Sequence, residues 1–110
     1  MIVIFQSDAS GDVIMFGDVA HKMMELMGKE PTAQGIVTVE QLPEALARLR
    51  AAVDADKQRL AAMSEDDRPE FEQAPDGQKR AFVSLTQRAA PLIELLEWSL
   101  KKQKPVMWGL

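Results

Sequence analysis

The feature that most constrains this chain is an apolar stripe with a helical period between Thr38 and Met63, in the stretch TVEQLPEALARLRAAVDADKQRLAAM. Its apolar residues recur every three or four positions with no glycine among them, which is the pattern of one face of an amphipathic helix. Thr38 and Gln41 match a capping box, whereas Pro43 favours a regular helix that starts nearer Leu42, and both starts leave the stripe intact. The stripe consists of Leu42, Ala45, Leu46, Leu49, Ala52, Val53, Leu60 and Met63.

A second apolar period, between Phe82 and Leu100, predicts an antiparallel partner for this helix. Pro91 interrupts the partner helix. Because proline has no N–H to donate, we expect a free carbonyl at Gln87 and a kink. The period consists of Phe82, Leu85, Ala89, Leu92, Ile93, Leu96 and Leu100.

Beyond Pro91 the partner helix is apolar nearly all the way round, because Leu95 and Trp98 lie opposite its stripe. Such a helix must be covered on two sides, so we place it in the middle of the fold, with the long helix on one side and strands on the other. Three lysines follow in the run 101–104 (KKQK). We interpret them as cations that complement the negative end of the helix rather than as an anion site.

The N-terminal residues predict a β-hairpin. Residues 2–7 (IVIFQS) and 12–16 (DVIMF) are rich in β-branched and aromatic side chains and flank a turn-forming cluster. The first strand carries apolar side chains on both faces, which favours a central position in the sheet. Residues 106–108 are expected to join it as a third strand. Residues 29–35 (KEPTAQG) are interpreted as a loop because of their proline and glycine.

A short amphipathic helix is predicted between the hairpin and the long helix. It runs from Asp18 as N-cap to Met27, and Gly28 is its left-handed cap residue. Met23, Met24 and Met27 cluster on this helix. We interpret the cluster as core filling rather than as an adaptable binding surface.

These elements predict an α+β domain in the order ββαααβ. A small antiparallel sheet, made of the N-terminal hairpin and a C-terminal strand, packs on a helical hairpin and one shorter helix. The length of 110 residues supports one core, so residues 1–110 are expected to form a single domain. Residues 64–77, SEDDRPEFEQAPDG, contain six acidic residues and two prolines and are interpreted as a solvated acidic loop.

Composition excludes several functional classes. The net charge of −4 and the sequence pI of about 5.0 have the wrong sign for nucleic acid or anionic membrane surfaces as partners. The chain has no cysteine, which excludes disulfides, thiolate metal sites and a catalytic thiol. The N-terminus lacks a basic leader and no apolar run is long enough for a membrane span, so we expect a cytoplasmic protein.

His21 is the only histidine and forms the pattern D-x-x-H-x-x-x-E with Asp18 and Glu25. These spacings would let two or three ligands meet one metal ion. The same residues also form the solvated side of an amphipathic helix, and we favour that interpretation. No phosphate-binding glycine loop and no nucleophile elbow occurs in the sequence. We therefore predict no metal-binding, cofactor-binding or catalytic residue, and the chain has no signature of an enzyme.

Asp56 is the one residue that interrupts the stripe of the long helix. A carboxylate buried there would have a raised pKa and could act in acid/base chemistry. The alternatives are a residue at the rim of the core or an ion pair with Arg80 or Arg88 across the helical hairpin, and we favour these.

Three stretches resemble the short proteobacterial proteins grouped as domain of unknown function 1840. They are DVIMFGDVAHKMMELMG (12–28), GIVTVEQLPEALARLRAAV (35–53) and VSLTQRAAPLIELLEWSLKKQKPVMWG (83–109). The resemblance covers nearly the whole chain apart from the acidic loop, and Gln87 to Leu92 is its most distinctive part. It implies a cytoplasmic, single-domain protein of a Gram-negative bacterium and brings no catalytic residues that could be carried over.

The function that these observations favour is that of a small accessory protein, which binds a macromolecular partner or itself. Its surface would be formed by the kinked helix, the acidic loop and excess apolar residues near Leu95, Trp98 and Trp108. The alternative is a small enzyme or ligand-binding domain. It would use Asp56 or His21, together with Arg88, in a pocket between the helices and the sheet.

Overall fold

A computed structural model describes residues 1–109 and confirms the α+β class. The main-sheet strands are β1 (Ile2–Ser7), β2 (Ser10–Phe16), β3 (Gly35–Val37) and β6 (Val106–Trp108), and a separate hairpin contains β4 (Phe71–Gln73) and β5 (Lys79–Ala81). The α-helices are α1 (Gly17–Leu26), α2 (Leu42–Ala61) and α3 (Leu85–Lys102), with a short 3-10 turn at Glu65–Asp67.

The main sheet has the strand order β2-β1-β6-β3, and every pairing in it is antiparallel. The predicted N-terminal hairpin, the internal position of β1 and the third strand at β6 are confirmed. The interpretation of 29–35 as loop is wrong at its end, because Gly35 begins β3 and pairs with Trp108. A strand of three residues is too short to show a period of its own, so the sequence pattern did not reveal it.

The long helix α2 starts at Leu42, the later of the two predicted positions. Pro43 lies in its first turn, where the missing N–H of proline has no intrahelical acceptor to satisfy. Just before the helix, the Thr38 N–H donates to Gln41 Oε1 at 3.1 Å, which is one half of the expected capping box. The buried part of the stripe is Leu42, Ala45, Leu46, Leu49 and Val53.

Helix α3 starts at Leu85 rather than at Phe82, because Ser84 caps it. The Ser84 hydroxyl accepts a hydrogen bond from the Gln87 N–H at 3.2 Å, and Gln87 Oε1 accepts one from the Ser84 N–H at 3.3 Å. The helix packs on α2 and also contacts β1, β2 and β6. Its predicted place between the long helix and the strands is confirmed. The residues buried by these contacts are Ala89, Leu92, Leu95, Leu96 and Ser99.

Helix α1 lies against α2 and the N-terminal hairpin. Gly28 has φ +84°, which confirms the left-handed residue after its C-terminus. The prediction of Asp18 as N-cap is wrong, because the N-cap position is Phe16 and no side chain caps this helix. Met23, Met24 and Met27 are buried, as the core-filling interpretation requires.

The interpretation of 64–77 as a solvated loop is wrong for its second half. Residues 71–73 pair with 79–81 to form the β4–β5 hairpin, around a turn that contains Pro75, Asp76 and Gly77. The sequence contains the signal for this turn, since proline, aspartate and glycine in succession are typical of turns between strands. The sequence pattern does not predict the strands themselves, because they are short and mostly polar and so have no apolar alternation.

Trp108 is the largest fully buried side chain in the described part of the chain. Its ring meets Phe5 edge to face, with ring centroids 5.8 Å apart, and its Nε1–H donates to the Thr32 carbonyl at 3.1 Å. Gly35 lies under the indole, where a Cβ atom would be only 2.2 Å from the ring carbon Cζ2. The expectation that Trp108 and Leu95 form an exposed apolar surface is therefore wrong, since each is 1% exposed.

Candidate functional site

The most prominent surface feature is the side of the main sheet that the helices do not cover. Side chains alternate along each strand, so Phe5 and Met15 enter the core while their neighbours point the other way. We define the open face as the five apolar side chains on this side, which come from three strands. They are Ile2 at 61% exposure, Ile4 at 39%, Ile14 at 64%, Phe16 at 56% and Ile36 at 39%.

Strand register makes the open face contiguous. Ile2 lies opposite Phe16, and Ile4 lies opposite Ile14. Ile36 lies opposite the half-buried Met107 of β6. Together the five side chains expose on the order of 500 Å² of surface, within the range of roughly 300–600 Å² for the largest patch on a typical monomer. The largest patch of a monomer is often a functional surface.

The open face is also nearly free of charge. Among the residues of the four strands of the main sheet, only Asp12 is charged. The 17 acidic and 13 basic residues of the chain are otherwise carried by the helices, the small hairpin and the connections. The open face is therefore suited to an apolar surface rather than to a charged one.

A groove of about 330 Å³ runs along the edge of the open face, where β2 is the last strand of the sheet. Ile14 and Phe16 line it on the sheet side, and Gln87, Arg88 and Pro91 line it on the side of α3. Because Pro91 has no N–H, the Gln87 carbonyl has no donor at the usual helical position. The unpaired edge of β2 also carries backbone groups that have no strand partner. The groove therefore offers both apolar walls and backbone hydrogen-bonding groups.

A second feature, the charged cleft, lies between the small hairpin and the three helices, with a volume of about 230 Å³. We define it by Asp18, Asp56, Arg59, Glu72, Arg80 and Arg88. Arg80 bonds Asp18 at 2.7 Å and approaches Glu72 at 3.6 Å, while Arg88 donates a hydrogen bond to Glu72. These contacts tie the small hairpin to α1 and α3.

The ion pairs shift the pKa values of the two acids that bind the arginines. The hydrogen bond from Arg80 holds the pKa of Asp18 below its usual value of 3.8. Burial opposes ionisation of Glu72, but the hydrogen bond and charge of Arg88, together with the charge of Arg80, outweigh it and lower its pKa below 4.5. The same contact with Asp18 raises the pKa of Arg80.

Asp56 belongs to the charged cleft but does not pair with Arg80 or Arg88, so that part of the prediction is wrong. Its Oδ1 atom bonds Arg59 one turn further along α2, at 2.5 Å. This partner is available within the same helix because residues three positions apart lie on one side of it. The side chain is 12% exposed, and its Oδ2 atom is buried without a partner among residues 1–109. Arg80 Nε is the other such atom in the described chain.

The structure brings Asp56 and Arg88 to one cleft but places His21 elsewhere. His21 lines a separate cavity of about 560 Å³ under the turn of the small hairpin, together with Asp18 and Asp76. Across residues 1–109, no three acidic or histidine side chains approach closely enough to hold a metal ion. The pattern of Asp18, His21 and Glu25 therefore does not form a metal site in this part of the structure.

Trp98 is the one residue of the predicted apolar surface that is exposed, at 39%. The ammonium groups of Lys101 and Lys102 lie 5.1 and 5.3 Å from the centre of its ring, within the range of cation–π contacts. Lys102 also donates to the Ala9 carbonyl at 2.9 Å. The two lysines are therefore engaged with the protein at the end of α3, which agrees with their interpretation as helix-terminal cations.

The apolar residues of the open face are evident in the sequence, but their pattern in β1 is typical of a strand that is buried on both sides. Alternating residues in β1 are apolar on both sides, and this pattern normally indicates a strand covered from both directions. The three helices, however, all lie on the side of Phe5 and Met15, where their buried residues join one core with these two side chains. The second apolar side of the sheet therefore has no cover within residues 1–109.

We expect the charged cleft to make the stability of the small hairpin depend on acid pH. A lowered pKa in the folded state contributes stability that is fully present above the unfolded pKa and is lost as the pH falls through the folded value. Protection of 71–81 from amide exchange should therefore decrease as the pH falls from about 4.5 to below 3.8, the usual values for Glu72 and Asp18. Hydrogen exchange measured against pH, with correction for the intrinsic rates, checks this.

The variant Arg80→Met should show a weaker pH dependence, because both acids lose their common partner. Arg50→Met is the control, since its pair with Glu97 is about half exposed at both side chains and lies outside the cleft. If Arg80→Met keeps the wild-type pH profile for 71–81, the ion pairs do not hold the hairpin.

Comparison with known proteins agrees with the resemblance noted in the sequence. Among residues 1–109, the structure contains no helix that is both long and apolar enough to cross a membrane. No curated protein and no solved structure matches the chain. The family model described as Domain of unknown function (DUF1840) matches residues 1–108 of the 110. On the strength of a match over nearly its full length, the chain belongs to the DUF1840 family.

Proposed function

We propose that this chain is an accessory interaction domain that binds a protein partner, or a second copy of itself, through the open face of its main sheet. The observation that carries the proposal is the exposure of five large apolar side chains on one side of the main sheet, from β2, β1 and β3, with the half-buried Met107 of β6 between β1 and β3. We also propose that it acts in the cytoplasm. A chain without cysteine forms no disulfide bonds and therefore does not require an oxidising compartment to fold.

Exposure of the open face to water is unfavourable, and a binding function would explain why it is kept. An uncovered row of β-branched and aromatic side chains promotes aggregation when nothing binds to it. The strands that carry these side chains are well paired, so the face is a fixed surface rather than a loosely packed region. A preformed apolar surface of this kind needs little ordering when a partner binds.

Photocrosslinking in cells tests the proposal. A photoreactive phenylalanine analogue in place of Ile14 should form a covalent protein adduct, because the position lies on the open face at 64% exposure. The matched control is the same analogue in place of Phe71, which is 60% exposed on the small hairpin. Gel mobility and mass spectrometry of the adducts give the readout. If Ile14 yields no adduct of any mass, or yields only the adducts seen at Phe71, the open face is not the binding surface.

A second candidate function, small-ligand binding in the charged cleft, is favoured by one observation. Asp56 Oδ2 needs a hydrogen-bond donor and Arg80 Nε needs an acceptor, and both atoms belong to residues that line the same cleft. A small molecule with an ammonium and a carboxylate group, such as a free amino acid, has both. Thermal shift measurements with free amino acids test this, with Asp56→Asn as the matched variant. No shift of Tm at millimolar concentration would count against the candidate.

A further inference from the structure

We propose that the occupant of the open face is a second copy of this chain, and that the two main sheets pack face to face about a two-fold axis. This inference rests on the proposed function and adds the identity of the partner. The resulting dimer would have four layers, with the helices of each copy outside and the two sheets in the middle. Face-to-face packing of sheets at roughly 10 Å is a common way to cover an apolar sheet surface.

The area of the open face fits such a dimer. Stable interfaces bury roughly 800 Å² on each partner, with an apolar centre and a polar rim. The five side chains of the open face supply on the order of 500 Å² of this area, and the rest would come from the rim around them. Gln6, which pairs with Met107 across strands, lies next to the patch and is available for that rim, and the side chain of Met1, which is 82% exposed, would add apolar area.

The distribution of charge favours a second copy over a partner of opposite charge. Two copies each carry a net charge of −4, so they repel least where they meet on surfaces of low charge. The main sheet is such a place, because Asp12 is the only charged residue in its four strands. A partner selected by charge would require a set of complementary charges on this surface. Asp12 lies two positions before Ile14 on the same side of β2, and the Arg80 guanidinium, 5.4 Å from the centre of the Phe16 ring, is already paired with Asp18.

The arrangement of residues also allows the face to match itself. A two-fold axis requires one surface patch to be complementary to its own copy. An axis that passes near the cross-strand pair Ile4 and Ile14 would place the isoleucine rows of both copies against each other. Four of the five side chains are isoleucines, namely Ile2, Ile4, Ile14 and Ile36. Because they have the same shape, each can pack against any of the others in the second copy.

The decisive experiment measures the mass of the purified full-length chain by native mass spectrometry and analytical ultracentrifugation. We expect twice the chain mass of 12.2 kDa for the wild type. Ile14→Asp should weaken the dimer by about a hundredfold or more, because the two-fold axis places the buried carboxylate in the interface twice. The matched control is Phe71→Asp, which changes an equally exposed apolar residue outside the open face and should leave the dimer intact.

Crosslinking through a single thiol locates the axis, because the natural chain has no cysteine to interfere. Ile4→Cys should be joined to its copy by a bismaleimide that spans about 10 Å, the separation of packed sheets. Ala51→Cys, on the exposed side of α2, is the control and should stay uncrosslinked. Circular dichroism of each variant shows whether the fold is kept.

The outcomes separate the two proposals. A monomeric wild type that still forms an adduct of Ile14 with another protein in cells would overturn the second copy as partner and leave the proposed function standing. A dimer that withstands Ile14→Asp would show that the copies meet elsewhere, and this would also overturn the inference. A monomer with no adduct at all would overturn both.

Discussion

Replacing Trp108 with alanine is expected to lower the free energy of unfolding by about 3–5 kcal/mol, the usual cost of truncating a fully buried tryptophan. Trp108 contacts Phe5 edge to face and occupies the space above Gly35, which has no side chain of its own to fill the cavity that alanine leaves. Its Nε1–H also satisfies the Thr32 carbonyl, which would lose this partner. Because a domain has only about 5–15 kcal/mol of stability in total, the variant should be close to the limit of folding.

Chemical denaturation followed by circular dichroism measures this loss. Trp98→Ala is the matched control, since Trp98 is the only other tryptophan and is 39% exposed at the surface of α3. Its replacement should cost less than about 1 kcal/mol, mainly through the loss of two exposed cation–π contacts. Similar losses for the two variants would contradict the anchoring role of Trp108.

Gly35→Ala should lower the free energy of unfolding by about 1–3 kcal/mol, although it adds only one methyl group. A Cβ atom at this position would lie 2.2 Å from one carbon of the Trp108 ring and 2.6 Å from the next, so either the indole or β3 must move. Both responses disturb the pairing of β3 with β6. Thermal unfolding should show a decrease in Tm of several degrees or more.

Two further variants separate this clash from a general effect of removing glycine. Gly11→Ala should be close to neutral, since no atom lies within 4 Å of the position where its Cβ would be built. In a double-mutant cycle, Trp108→Ala should remove most of the cost of Gly35→Ala, because it removes the atoms that clash. Additive effects would show that Gly35 is required for a reason other than the indole ring.

The helices were predictable because their information is local. The stripe of α2 and the period of α3 each repeat over many residues, and the left-handed Gly28 and the start of α2 at Leu42 follow from neighbouring residues. Even the place of α3 between α2 and the sheet follows from its composition, since Ala89 and Leu95, six positions apart, lie on different sides of one helix and both are buried. Periodicity therefore determined both the elements and the order in which they pack.

The short strands were not predictable in the same way, because three residues carry no period. Strand β3 exists because Gly35 accommodates the ring of Trp108, a contact across 73 positions of the chain (108 − 35). The small hairpin exists because its turn is favourable and because Arg80 and Glu72 bind α1 and α3. Such long-range contacts leave no trace in a local pattern.

The candidate sites show the same difference between local features, which the sequence predicts, and long-range contacts, which it does not. The sequence identified Asp56 as an interruption of the apolar stripe. It did not show which arginine pairs with this carboxylate, because the sequence pattern allows Arg59 on the same helix as well as Arg80 or Arg88 elsewhere in the fold. The sequence also led to the wrong prediction that Trp108 is exposed. The residues that cover its ring belong to β3 and the preceding loop, which are distant in the chain and contact Trp108 only in the folded structure.

What the sequence by itself determined is the α+β architecture, the central pair of helices, the internal position of β1 and the apolar character of both of its sides. Only the tertiary structure decided which side is covered. The three helices of the described chain all pack on the side of Phe5 and Met15, because their apolar stripes share one core there. An apolar side chain has the same preference for burial on both sides of a strand, so alternation alone does not reveal which side the rest of the chain reaches. The side it does not reach, with Ile4 and Ile14 at its centre, is the surface on which the proposed function depends.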